Sequence, residues 1–182
     1  MRFRRRNSRY MMSRHERRRT MEPDFTRVFI HGLESSSGGT KGNFFRKRYP
    51  DMIIEDYRGT LDQRMTRLRT ILHGRSDLLL VGSSYGGLMA AIYAFEHSQE
   101  VSRLVLLAPA LSLDEFGAYL DRSLDIPVIV YHGTRDDVVP SNPVRKIASK
   151  VFTNLEYNMI DDNHPLEAQF KTLDWNSLLC YE

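Results

Sequence analysis

Short apolar segments alternate with longer amphipathic segments from about residue 26 onward, and this alternation constrains the fold more than any other feature of the chain. The apolar segments are rich in Val, Ile and Leu and end at Gly, Pro or polar residues, as strands do. The segments between them carry apolar residues at helical spacing. Strands that alternate with helices predict an α/β fold of three layers, in which a mostly parallel sheet has helices on both faces.

The predicted elements follow one another with short connections. We predict about six strands, at Arg27–His31, Met52–Asp56, Leu78–Val81, Arg103–Leu107, Pro127–Tyr131 and Leu155–Ile160. Helices are predicted at Phe44–Tyr49, Thr60–His73, Gly87–His97, Leu113–Ser123 and Asn142–Val151, and around Leu166, Phe170 and Leu173. The glycine-rich segment 32–42 is predicted as a loop.

Two regions of different composition divide the chain of 182 residues. Residues 1–25 are predicted to form an arginine-rich disordered arm, and residues 1–20 alone contain nine arginines and one acid, a net charge of +8. The whole chain carries +3, so residues 21–182 carry −5 and the basic balance belongs to the arm. We predict one globular domain over residues 26–182, which is long enough to bury a core.

The arm has no apolar run of the length that a signal peptide or a membrane span needs. Its composition also fits a transit peptide, or translation from an upstream start codon, since Met11, Met12 and Met21 follow. Contact of the arm with nucleic acid is a less favoured alternative. The single cysteine, Cys180, has no partner for a disulfide or a metal site, so we expect a reducing, cytoplasmic location.

The letters GSSYG at residues 82–86 match the pattern G-x-S-x-G between a predicted strand and a predicted helix. In this setting the central serine lies on a sharp turn, and the glycines let strand and helix approach each other. The helix N-terminus supplies free N–H groups for an oxygen that becomes anionic during acyl transfer. The pattern predicts Ser84 as a nucleophile, whereas Ser83 is expected to be structural.

A serine nucleophile needs a base and a group that orients the base. His164 follows the last predicted strand, at the end where an open parallel sheet keeps its ligand crevice. Segment 131–140, also just past a strand, offers two acids, Asp136 and Asp137. The acids beside the histidine, at positions 161 and 162, are expected to cap a turn instead.

These motifs resemble the α/β-hydrolase superfamily: G-x-S-x-G around Ser84, H-G-x-x-D-x-x-V-P around Asp136, and D-x-x-H ending at His164. The resemblance extends to the H-G-x segment at residues 31–33. It implies a serine hydrolase with a Ser84, Asp136 and His164 triad, and it favours Asp136 over Asp137 by the spacing to the Val-Pro pair. It also implies an oxyanion hole made by the backbone N–H groups of Leu33 and Tyr85, and no metal or organic cofactor.

Two departures from the superfamily pattern bear on the substrate. No room remains after the arm for the two extra strands that often precede H-G-x, and only about eighteen residues separate Ala108 from Pro127, where a lid is often inserted. We therefore expect a minimal fold with an open groove above Ser84. The resemblance is to small bacterial carboxylesterases and thioesterases, which implies a small-molecule ester or thioester substrate with a short acyl group.

Alternatives remain for the reaction and for the substrate contacts. Amide or peptide hydrolysis and acyl transfer use the same triad, and a non-catalytic binding protein would have the same fold. His31 and His132 each precede a glycine at a strand end and are expected to bond loop backbone, although His31 is a candidate substrate contact. Ser36 is a second candidate from the glycine-rich loop, with Ser37 and Lys41 as alternatives.

Overall fold

Six strands and five α-helices alternate along the described part of the chain. The computed structural model describes residues 25–179, so most of the predicted arm and Cys180 lie outside the described residues. The elements are β1 (Thr26–Ile30), α1 (Thr40–Arg48), β2 (Ile53–Ile54), α2 (Leu61–Leu72), β3 (Leu78–Ser83), α3 (Tyr85–Glu96), β4 (Val101–Leu107), β5 (Val128–Gly133), α4 (Ser141–Val151), β6 (Leu155–Ile160) and α5 (Trp175–Leu179). Two short 3₁₀ helices lie at Asp114–Tyr119 and Phe170–Thr172.

The strands form one sheet in the order β2-β1-β3-β4-β5-β6, and every pair of neighbours is parallel. This confirms the predicted parallel α/β fold. The strand order reverses between β1 and β3, because β2 adds to one side of β1 and all later strands add to the other. Open α/β sheets bind ligands in the crevice at such a reversal, beyond the carboxyl ends of the strands.

Helices cover both faces of the sheet and create two separate apolar clusters. On one face, Val28, Ile30 and Leu80 of the sheet lie in a cluster with Leu68 of α2 and Leu88 of α3. On the other face, the members include Phe29, Phe45, Val81, Val105, Phe170 and Trp175. Neighbouring residues of one strand, such as Val28 and Phe29, therefore serve opposite faces, which explains why the strands are apolar throughout.

The segment after β6 differs from the sequence prediction. The final helix expected around Leu166, Phe170 and Leu173 is wrong, because these residues lie in turns and in a 3₁₀ helix. Leu166 has a φ of +56°, which is incompatible with a right-handed helix. Two smaller corrections apply elsewhere: the helix expected at Leu113–Ser123 is the shorter 3₁₀ helix, and the loop expected through residue 42 ends where α1 begins at Thr40.

None of the helices within residues 25–179 is both long enough and apolar enough to cross a bilayer.

Candidate active site

Ser84 lies on a strained turn between β3 and α3. Its backbone has a φ of 54° and a ψ of −117°, a conformation that L-residues rarely adopt. Two hydrogen bonds fix the turn to the end of β4: Ser84 N donates to Leu107 O at 2.8 Å, and Ala110 N donates to Ser84 O at 3.1 Å. The side chain is thereby directed out of the sheet at its carboxyl edge.

The glycines around the serine permit this turn. A Cβ atom at Gly82 would lie 2.4 Å from Gly86 O, and one at Gly86 would lie 2.1 Å from Ile30 O. Both obstacles are backbone atoms, which cannot move aside as a flexible side chain can. The close approach of α3 to β1 and β3 therefore requires glycine at both positions.

We expect Gly86→Ala to lower the free energy of unfolding by about 3 kcal/mol or more, because the new methyl group would overlap the Ile30 carbonyl. Gly117→Ala is a matched control, since an added Cβ there meets no atom within 4 Å. The control should change the free energy of unfolding by no more than about 0.5 kcal/mol. Urea unfolding followed by circular dichroism measures both, and equal stability of the two variants would contradict the expectation.

The three residues predicted for a triad meet at the carboxyl edge of the sheet. His164 Nε2 lies 3.0 Å from Ser84 Oγ, and His164 Nδ1 lies 2.7 Å from Asp136 Oδ2. Because an ionised carboxylate only accepts hydrogen bonds, Nδ1 carries the proton and donates to Asp136. Nε2 then has a free lone pair that accepts the Ser84 hydroxyl, as a general base requires.

Asp136 is held more firmly than its neighbour Asp137. The Asp136 side chain is 1% exposed, and its Oδ1 accepts the N–H groups of Val138 at 3.0 Å and Val139 at 2.8 Å. These two bonds leave Oδ2 facing His164. Asp137 is exposed and lies on the outer side of the same turn, so Asp136 is the acid that the turn directs at the imidazole.

The loop that carries His164 is shaped by Asp162, as expected of a capping residue. Asp162 is buried, and its two oxygens accept the N–H groups of Asn163 and Gln169, both at 2.8 Å. Asp161 instead pairs with Arg135 at the surface. The loop also packs against β5: a Cβ at Gly133 would lie 2.5 Å from Asp162 O.

Lys41 connects this loop to the first turn of α1. Its Nζ donates to Pro165 O at 2.5 Å and lies 5.4 Å from the centre of the Phe170 ring. Burial lowers the pKa of Lys41, while the nearby Glu167 and Asp162 carboxylates oppose that shift. Pro165, the residue after His164, is thus anchored by a cation from another element.

The H-G-x segment passes directly beside Ser84. A Cβ at Gly32 would lie 3.3 Å from Ser84 Cβ and 3.9 Å from Ser84 Oγ. The next residue, Leu33, lines the same cavity as Ser84 and Tyr85. Tyr85 begins α3, and the first N–H groups of a helix have no acceptor within the helix. The arrangement can present two N–H groups to an oxygen bound over Ser84.

A cavity of about 880 Å³ opens above the serine. This volume lies near the upper end of the range of about 300–1,000 Å³ for small-molecule sites. Its lining includes Ser84, His164, Leu33 and Tyr85, together with apolar residues of β1, of the loops after β4 and β5, and of the histidine loop. Four charged residues also line it: Glu34, Lys41, Glu167 and Lys171. The sequence indicates only Lys41 among these four as a possible substrate contact. Glu34, Glu167 and Lys171 belong to no motif that distinguishes them from ordinary surface residues.

Exposed apolar side chains lie at the mouth of the cavity. Among the described residues, four large apolar side chains are exposed: Leu33 (48%), Leu113 (40%), Val138 (65%) and Met159 (37%). Three of them, all except Met159, line the cavity. Exposed apolar residues that cluster around an opening mark a binding surface rather than random surface variation.

Neither candidate substrate contact from the sequence lines this cavity. His31 is buried, its Nδ1 lies 2.7 Å from Gly32 O, and its Nε2 accepts Tyr57 N–H at 3.1 Å. Both ring nitrogens are therefore engaged in holding loop backbone. Ser36 is also outside the lining, whereas its neighbour Ser35 is part of it. Within residues 25–179, no group of three or more His, Cys, Asp or Glu side chains is arranged to hold a metal ion.

Comparison with known proteins gives the family. Residues 31–121 match the family described as serine aminopeptidase, S33, over a span that includes the H-G-x segment and Ser84. No curated protein matches the sequence. Among solved structures, α/β hydrolase domain-containing protein 10 from mouse is 18% identical with a TM-score of 0.66, over 79% of this chain and 83% of that chain.

Two other solved structures are similar in fold. Est1E from Butyrivibrio proteoclasticus is 16% identical with a TM-score of 0.64, over 82% of this chain and 84% of that chain. A monoacylglycerol lipase from Paleococcus ferrophilus is 14% identical with a TM-score of 0.63, over 85% of this chain and 95% of that chain. The fold and the family match agree, and the chain belongs to the serine aminopeptidase S33 family of the α/β-hydrolase superfamily and is a hydrolase.

Proposed function

We propose that this hydrolase cleaves carboxylic esters or thioesters through an acyl-enzyme formed on Ser84. One observation carries the proposal: an unbroken hydrogen-bond chain runs from Ser84 Oγ through His164 to Asp136, with distances of 3.0 Å and 2.7 Å, and Ser84 and His164 line a cavity. A buried acid, a base and a hydroxyl in this order activate a serine for acyl transfer.

In the acylation step, Ser84 Oγ attacks the substrate carbonyl carbon while its proton passes to His164 Nε2. The imidazolium then gives that proton to the alcohol or thiol as the C–O or C–S bond breaks, leaving the acyl group on Oγ. Water repeats the sequence in deacylation and releases the carboxylic acid. Asp136 keeps the proton of the neutral imidazole on Nδ1 and stabilises the imidazolium by its charge.

The carbonyl oxygen gains negative charge in each tetrahedral intermediate. We propose that the backbone N–H groups of Leu33 and Tyr85 bind this oxygen, assisted by the positive end of the α3 dipole. Loss of a single donor of this kind typically lowers kcat about 10²–10³-fold. The crowding between Gly32 and Ser84 supports the assignment, since the H-G-x backbone is already next to the nucleophile.

The absence of a lid predicts short acyl groups, whereas the apolar residues at the cavity mouth favour longer ones. An apolar rim of Leu33, Leu113 and Val138 suits the apolar end of an acyl group that extends out of the cavity. In one solved structure of Est1E, ferulic acid is bound, so that protein accommodates an aromatic acid on this fold. We therefore propose acyl groups longer than acetyl as the preferred substrates.

Val138→Ser is expected to reduce the preference for long acyl chains. Each buried methylene contributes about 0.8 kcal/mol, equivalent to about fourfold in kcat/KM. The octanoate-to-acetate ratio of kcat/KM, measured with p-nitrophenyl esters, should fall about three- to tenfold in this variant. Met159→Ser is the matched control, because Met159 is an exposed apolar residue outside the cavity lining. An unchanged ratio in Val138→Ser, or an equal change in the control, would count against the proposed rim.

A second candidate function is hydrolysis at the N-terminus of peptides. The family description supports it, and so do the carboxylates of Glu34 and Glu167 in the cavity lining, which have the charge needed to bind a free ammonium group. The same triad would act on the amide carbonyl. Ester cleavage remains our first choice because the mouth of the cavity is apolar.

Three substrate classes on one enzyme preparation test these proposals. We expect hydrolysis of p-nitrophenyl butyrate and of a butyryl thioester, and little hydrolysis of aminoacyl p-nitroanilides. A fluorophosphonate probe should label Ser84, as located by peptide mass mapping. Hydrolysis of the anilides at rates above those of the esters would favour the aminopeptidase, and no labelling of Ser84 would overturn both.

A further inference from the structure

A second histidine contacts the acid of the proposed triad. His132, in β5, has a fully buried side chain. Its Nε2 lies 3.1 Å from Asp136 Oδ2 and 2.9 Å from Val139 O, and its Nδ1 lies 2.8 Å from the Tyr157 hydroxyl. Asp136 Oδ2 therefore has two histidine rings beside it, His164 on one side and His132 on the other.

The neighbours of His132 determine where its proton lies. The Val139 carbonyl and the Asp136 carboxylate only accept hydrogen bonds, so the ring carries its proton on Nε2. That N–H donates to Val139 O at 2.9 Å, and Asp136 Oδ2 lies 3.1 Å from the same nitrogen, where the polar N–H attracts the carboxylate. Nδ1 is then an acceptor, and the Tyr157 hydroxyl donates to it at 2.8 Å rather than to Ser141 O, which is farther away at 3.4 Å. With the proton on Nδ1 instead, an Nε2 lone pair would face two oxygen atoms in a buried site, which is costly.

His132 is neutral in this arrangement. Burial lowers its pKa, while the hydrogen bond to the Val139 carbonyl and the Asp136 carboxylate oppose that shift and His164 adds to it. The other groups nearby are Tyr157 from β6, whose pKa burial raises, and Arg145 from α4, whose guanidinium lies 5.7 Å from the centre of the Tyr157 ring. A neutral donor can hold a carboxylate in place without cancelling its charge.

We propose that His132, held by Tyr157 in its Nε2–H tautomer, is a positioning residue that orients Asp136 toward His164. The inference rests on the proposed function, because it concerns the same triad. Two backbone N–H groups hold Asp136 Oδ1, and His132 contacts Oδ2 on the side away from His164. The same N–H also ties the Val139 carbonyl, so one ring fixes both the carboxylate and the turn that carries it.

Two substitutions at His132 separate positioning from simple packing. The amide nitrogen of glutamine is as many bonds from Cβ as Nε2 is, so His132→Gln retains a donor at that point, whereas His132→Met fills similar space without one. In metal sites, removal of the residue that orients a metal-binding side chain typically costs about 10- to 100-fold in activity, and we take this as the scale for a residue that orients Asp136. We expect a loss of this size in kcat and in the rate of fluorophosphonate labelling for His132→Met, with KM unchanged, and recovery of most of the loss in His132→Gln.

Both variants are assayed at a temperature well below their midpoints of thermal unfolding, so that the folded fraction does not account for the difference. Wild-type kcat in His132→Met, or an equal loss in both variants, would overturn the proposal. Ester hydrolysis at the wild-type rate in Ser84→Ala would overturn the proposed function instead. The two failures are therefore distinguishable.

The tautomer is tested directly by NMR of the wild-type protein labelled with ¹⁵N-histidine. We expect His132 to be protonated at Nε2 and unprotonated at Nδ1 near neutral pH. Tyr157→Phe removes a single hydroxyl and should allow the other tautomer to appear, with a smaller loss of kcat than His132→Met. A proton on Nδ1 of His132 in the wild type would contradict the proposal, even if neither His132 variant folds.

Discussion

Ser84→Ala is expected to lower kcat for ester hydrolysis by about 10⁶-fold and to abolish fluorophosphonate labelling. The reason is that no acyl-enzyme can form without the hydroxyl that His164 accepts at 3.0 Å. A residual rate above the uncatalysed reaction should remain, since the cavity and the proposed oxyanion hole are still present. Stopped-flow and long steady-state assays with p-nitrophenyl butyrate cover the required range of rates.

Ser83→Ala distinguishes the two adjacent serines. Ser83 is the last residue of β3 and is not among the hydrogen-bond partners of His164. We expect the probe to remain on Ser84 in this variant, and the thermal midpoints of both alanine variants to stay close to that of the wild type. Labelling that disappears in Ser83→Ala and persists in Ser84→Ala would reverse the assignment of the nucleophile.

Asp136→Asn is expected to lower kcat by about 10³–10⁴-fold, with a much smaller effect on KM. The amide can donate a hydrogen bond to Nδ1 and so stabilise the wrong tautomer of His164, with its proton on Nε2 facing the serine. The negative charge that stabilises the imidazolium is also lost. Steady-state assays with p-nitrophenyl butyrate give kcat and KM separately and so measure both effects.

Asp137→Asn is the matched control, because it makes the same chemical change one residue away on an exposed side chain. It should retain kcat within about twofold and the wild-type free energy of unfolding within about 0.5 kcal/mol. Equal losses in the two variants would point to the turn as a whole rather than to the Asp136 carboxylate.

The parallel sheet was predictable because each strand is continuously apolar and ends at a turn signal. The turn at Ser84 was predictable for a related reason. The close approach of strand and helix requires glycine at positions 82 and 86, and the sequence shows glycine at both. Position past a strand end then indicated His164 and the pair Asp136 and Asp137, and the resemblance to the α/β-hydrolase motif favoured Asp136. The sheet and the candidate positions rest on local patterns, which a single sequence contains.

Other features depend on contacts that no local pattern encodes. Leu166 and Phe170 are both buried and are four residues apart, which is the spacing of one face of a helix. The positive φ at Leu166 nevertheless makes the segment a series of turns. The contact of His132 with Tyr157 depends on the β5–β6 register, in which Val130 pairs with Tyr157 and His132 with Met159. His132 was expected to bond loop backbone, as it does through Val139, but its contact with Asp136 was not foreseen.

The close contact between Gly86 and the Ile30 carbonyl has a consequence for the use of reactive-serine probes. The turn at Ser84 packs on β1, and His164 comes from a loop after β6. Under the proposed function, strands from β1 across the sheet to β6 must therefore be assembled before Ser84 becomes reactive. An unfolded or partly assembled chain has only an ordinary serine. The fraction of molecules that a fluorophosphonate titrates therefore measures the fraction of the preparation that is native, and active-site titration becomes an assay of folding.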